Sequence, residues 1–111
     1  MNNTTHRTIE EGDVLVTDFG ATMQLPAFYQ VIKRTPKTIK MQLLKAKNVD
    51  GDGFMGTCVP TDEIDTKSYK SEMTARVKNS MYKDEETGWN AQSRLFFSIW
   101  NGTPASYNHL D

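Results

Sequence analysis

The sequence predicts an all-β or β-rich α+β domain, a small, partly open antiparallel barrel of the SH3-like kind. Three observations carry that expectation. The apolar and β-branched runs are short, turn residues separate them at frequent intervals, and no stretch keeps a long helical period. A length of 111 residues corresponds to one domain. The expected boundaries are a disordered N-terminal tail over residues 1–8 and one β-rich domain over residues 9–111.

Gly12-Asp13 leads into Val14-Leu15-Val16, a short apolar run that reads as the first strand. Gly20 and Pro26 bracket a loop, and from Ala27 the run FYQVIKR suits a pleated surface. Thr35-Pro36-Lys37 is a turn, after which TIKMQLLK alternates. Ile39, Met41 and Leu43 fall on one face, and Thr38, Lys40 and Gln42 on the other. Asn48 to Gly53 reads as a strong turn, and residues 54–59 as a strand stopped by Pro60. Thr61 to Tyr69 is polar, with room for a turn of helix capped by Thr61 or Asp62. Residues 72–77 alternate weakly and 84–88 read as a charged loop. Arg94 to Trp100 is the clearest strand, and Asn101-Gly102 signals a two-residue hairpin returning through Ser106 to Leu110.

Charge is near balance, with a net value of −1, so no global field draws the chain to polyanions or membranes. The charges are nevertheless segregated. Residues 28–47 hold Lys33, Arg34, Lys37, Lys40, Lys45 and Lys47 without an acid, beside Phe28 and Tyr29. Tyr29, Lys33, Arg34, Lys37 and Lys40 therefore form a candidate nucleic-acid site, cations along the backbone and a ring stacking on bases. The same lysines would also protect an edge strand from pairing with other chains. Residues 50–65 hold five acids and no base. Asp62, Glu63 and Asp65, together with Phe97, make a candidate partner surface. Phe96 and Phe97 must face opposite sides of their strand, so one fills the core and the other covers a second face or an interface.

Chemistry-bearing patterns are weak. Asn48, Asp50, Asp52 and Gly53 match the start of a calcium loop, but Val59 stands where the bidentate carboxylate belongs. His6 and His109 sit near opposite ends, and Cys58 has no cation or histidine beside it in sequence to activate its thiol. No phosphate loop, metal-ligand spacing or nucleophile elbow is present in the sequence. The expectation is a non-enzymatic protein without cofactor. The lone cysteine fits a reducing compartment, and no apolar run approaches the roughly 20 residues of a membrane-spanning helix. The expected location is the cytoplasm.

Two stretches resemble a group of small uncharacterised bacteriophage and mobile-element proteins. Gly12-Asp13-Val14-Leu15-Val16, Phe19-Gly20 and Phe28-Tyr29-Gln30-Val31 are similar to a "GD…WGY…FYQV" opening. Ile99-Trp100-Asn101-Gly102-Thr103-Pro104 with Tyr107 is similar to an "LWDGKP…W/Y" ending. The chain departs from the pattern at Phe19, Ala21 and Met23-Gln24-Leu25-Pro26, where the group has Trp, Tyr and polar residues. The resemblance implies a phage or prophage setting inside a host cell and carries no activity. The leading expectation is a binding module acting on a host or phage protein, or on itself. A small nucleic-acid-binding barrel using the basic hairpin is the alternative.

Overall fold

The computed structural model describes residues 7–18, 26–51, 55–66, 71–80 and 84–108. Eight strands run in chain order: β1 (Val14–Asp18), β2 (Pro26–Arg34), β3 (Thr38–Gly51), β4 (Met55–Ile64), β5 (Glu72–Asn79), β6 (Glu86–Asn90), β7 (Leu95–Ile99) and β8 (Ala105–Asn108). No helix occurs among the described residues. The sheet order is β2-β1-β7-β6-β5-β3-β4-β8, and an additional β2–β3 pairing closes the first six strands into a ring. Every strand pairing is antiparallel. The fold is thus a closed six-strand antiparallel barrel with two further strands, consistent with a small SH3-like barrel.

Alternation explains how the ring fills. Ile39, Met41 and Leu43 turn inward, as their period-two spacing predicts, and meet Leu15, Tyr29, Val31, Ala75, Phe97 and Ile99 inside. Tyr29 and Phe97 pack edge to face with centroids 5.4 Å apart, a favoured geometry for rings. Gly88 lies opposite Phe97 on β6. A Cβ there would come within 3.1 Å of Ile39, 3.2 Å of Ala75 and 3.4 Å of Phe97. The missing side chain is what lets Ile39 and Ala75 close up against β6.

β3 is long because it serves two structures. Its first half pairs with both β2 and β5, and from Leu44 onward it leaves the ring and pairs with β4, which in turn pairs with β8. This ribbon covers a second cluster, in which Phe28, Leu44 and Cys58 are buried with Val14, Val16, Trp100 and Ala105 packed around them. Phe28 and Trp100 meet edge to face at 5.8 Å. β2 is consequently covered on both faces, and Ala27, Phe28 and Tyr29 are buried consecutively.

Several boundaries depart from the sequence reading. β3 runs through Asn48 to Gly51, where a turn was expected; a register shift between Asn48 and Asp50 absorbs the irregularity. Residues 52–54 lie outside the described residues. Pro60 does not stop β4, because it stands beside a second register shift, between Leu44 and Ala46, where a residue without an N–H is tolerated. Thr61 caps no helix. Its hydroxyl donates to the Lys45 carbonyl at 2.8 Å and accepts from the Glu63 N–H at 3.2 Å, filling the bulge.

Asn101-Gly102 turns the chain but makes no hairpin. Asn101 Oδ1 accepts from the Thr103 N–H and hydroxyl, Gly102 takes a φ of 88°, and β8 is delivered to β4, not back to β7. The expected charged loop 84–88 is strand from Glu86. The loop expected at 21–25 lies outside the described residues. Of the stretch expected as a tail, residues 1–6 lie outside the described residues and Arg7 is tied to the barrel. Arg7 donates its N–H to the Asp84 carbonyl and accepts from the Glu86 N–H, at 3.0 and 2.8 Å.

Candidate binding face

The basic hairpin divides once it is folded. Tyr29 is fully buried inside the barrel, so it cannot stack on a base, and that assignment is withdrawn. Arg34 is equally committed. Its Nη1 lies 2.7 Å from Glu86 Oε1 and donates to the Ile9 carbonyl at 2.8 Å, while Nε donates to the Thr35 carbonyl at 2.7 Å. Glu86 Oε1 also accepts from the Ile9 N–H at 2.9 Å. This network holds Ile9, itself fully buried, in the barrel core. The hydrogen bond to Glu86 raises the already high pKa of Arg34 further. With its donors spent on Glu86 and two backbone carbonyls, Arg34 is not available to hold a phosphate.

Lys33, Lys37 and Lys40 stay exposed. Lys40 faces Glu72 at 3.6 Å across an open surface, a contact worth little in water. On the other candidate surface, Asp62 and Glu63 are exposed at the end of β4, and Asp65 is half-buried with its N–H bonded to the Leu43 carbonyl. Phe97 is the reverse of its expectation. It is completely buried, and Phe96 is the ring that stands outside, 61% exposed. The apolar triplet Leu95, Phe97 and Ile99, set against Phe96 and Ser98, carried this phase in the sequence.

The outer wall of the ring assembles residues that the sequence reading did not bring together. Strand register sets Thr38 opposite Arg76, Arg76 opposite Trp89, and Trp89 opposite Phe96, one row across β3, β5, β6 and β7. Trp89 and Phe96 stack with centroids 4.4 Å apart and planes tilted by 37°. Beside Trp89 opens a groove of about 350 Å³ lined by Thr74, Arg76, Lys78, Trp89 and Gln92 among others, with no carboxylate among its lining residues. Among the described residues neither Arg76 nor Lys78 pairs with an acid. The Val77 N–H donates to the Lys37 carbonyl at 2.9 Å, which seats the basic β2–β3 turn against this end of β5. Phe96 also borders a second groove of about 330 Å³, but Asp18 lines that one. Positive charge therefore collects on the Trp89 side.

Among the described residues no three His, Cys, Asp or Glu side chains come together. Cys58 is buried on the inner face of the ribbon, and burial pushes its thiol pKa up, away from the reactive thiolate. His6, His109, Asp52 and Gly53 lie outside the described residues. No family model, curated protein or solved structure matches the chain.

Proposed function

We propose that the protein is a non-enzymatic binding module that engages a macromolecular partner through the outer face of β5, β6 and β7. The observation that carries this reading is the Arg76–Trp89–Phe96 row. An exposed arginine and an exposed Phe96 flank a half-buried Trp89 that lines a groove on a closed wall. Trp and Arg are side chains that concentrate binding energy at interfaces, the indole through large area on two torsions and the guanidinium through its planar fork of donors. A cross-strand aromatic pair also steadies its hairpin by about 0.2–1 kcal/mol. That role alone asks for neither a neighbouring groove nor unpaired cations. The resemblance of both chain ends to small phage and mobile-element proteins supplies the setting we infer, the cytoplasm of a host cell.

The test is site-specific photocrosslinking in host-cell lysate from a benzophenone side chain at position 96. The control is the same probe at Val49, which is 50% exposed on the ribbon. Discrete adducts from position 96 and none from position 49 are expected. Equal adducts from both positions, or none from either, would refute the reading.

A further inference from the structure

We infer that the ligand of this face is single-stranded nucleic acid, with an unpaired base stacked on Trp89 and backbone phosphates held by Arg76, Lys78 and Lys37. The inference rests on the binding-face reading above and specifies its ligand class.

Trp89 has Phe96 stacked against it and also lines the groove, from which Phe96 is absent. The indole is thus braced by one ring and open to the groove. The cations stand around that groove. Arg76 is the direct cross-strand neighbour of Trp89, Lys78 lines the same depression, and the Lys37 turn is tied to Val77 between them. Thr74 and Gln92 add polar lining, while Asn90 is spent on structure, donating to the Thr74 carbonyl and accepting from Ser93.

Two features select the ligand class. Arg76 and Lys78 line the groove without a carboxylate, around a lining that is more apolar than polar, which suits a base stacked between phosphate contacts. The ring must also stack on a π-face, and a base offers one only when it is unpaired. The volume, about 350 Å³, lies near the small end of the roughly 300–1,000 Å³ range of ligand clefts. Positive charge here is local, since the chain as a whole carries a net −1. Duplex DNA, which is bound mainly by long-range charge, has correspondingly little to grip.

The test is fluorescence anisotropy with labelled mixed-sequence DNA and RNA 12-mers, single-stranded and duplex, against the full chain. Single strands should bind more tightly than duplex. With about three phosphates neutralised, raising salt from 50 to 200 mM should weaken binding roughly 15- to 20-fold. Trp89→Ala should lose roughly 5- to 150-fold in affinity and Trp89→Phe much less. The double reversal Arg76→Glu/Lys78→Glu should abolish binding, while Lys47→Glu, in the arm of β3 paired with β4, should leave it unchanged. Because the charge reversals and Trp89→Phe alter exposed positions or keep a ring, their outcome stands even if Trp89→Ala fails to fold. No binding at 50 mM salt, or equal losses from Lys47→Glu and the double reversal, would overturn the inference. If oligonucleotides fail to bind while position 96 crosslinks a protein, the nucleic-acid assignment falls and the binding face stands.

Discussion

Arg34 and Arg76 show two uses of the same side chain on one barrel. Arg34 ends β2 and spends its donors on Glu86 and on the Ile9 and Thr35 carbonyls, in an ion pair whose side chains are only 21% and 13% exposed. Arg76 is central in β5, exposed, and faces an indole and a groove instead of an acid. The first region closes the core over the N-terminal segment. The second leaves charge and aromatic surface facing solvent. A guanidinium already satisfied within the protein stabilises the fold; an unsatisfied one beside a ring is available to a ligand.

The sharpest way to break this contrast is to exchange interior for exterior on β7. Phe97→Ala should cost about 3–5 kcal/mol, because it empties the centre of a closed barrel that Gly88 has already left without a side chain. Phe96→Ala, one residue earlier, should cost under about 1 kcal/mol. Urea unfolding of both variants checks the pair. Glu86→Ala comes next, at about 2 kcal/mol, since it strips the partner from Arg34 and the acceptor from the Ile9 N–H. Amide exchange at Ile9 should rise in that variant before exchange in β5 does.

Cys58 offers a smaller, pH-dependent handle. Burial raises its folded-state pKa above the ordinary 9.0, so the folded protein keeps the proton that the unfolded chain gives up. Its stability contribution is whole below pH 9 and declines as pH rises above it. A Cys58→Ala variant should show a shallower alkaline fall in Tm than the parent chain. The smallest effect belongs to the exposed Lys40–Glu72 contact. Lys40→Ala should shift stability by under about 0.5 kcal/mol, measured in the same denaturant series.

The barrel was legible in the sequence because period two survives wherever one face is buried. Ile39, Met41 and Leu43 went inward as their spacing requires. Tyr29 misled for a physical reason. Its ring takes the face of β2 that the closed barrel fills with Met41, Phe97 and Ile99, and that closure depends on the distant β1–β7 and β2–β3 pairings. Pro60 looked like a stop because a bulge is a property of register, which a single strand does not display. Arg76, Trp89 and Phe96 sit far apart along the chain and meet only through the β5–β6 and β6–β7 pairings. β5 alternates weakly, with half-buried Met73 and Val77 around a small Ala75, so its sequence gives the outward cations no strong period-two signal. The hairpin's charge folds next to the proposed face. Lys37 adjoins the face through the Val77 bond, although Arg34 in the same segment turned away.

The most direct measurement pairs stability with single-stranded oligonucleotide affinity for Arg34→Ala and Arg76→Ala. Arg34→Ala should lose about 2 kcal/mol of stability while its folded fraction binds as the parent does. Arg76→Ala should unfold within about 0.5 kcal/mol of the parent and lose affinity. Full affinity in Arg76→Ala, or loss of affinity in a folded Arg34→Ala, would contradict the division between a structural clamp and a working face.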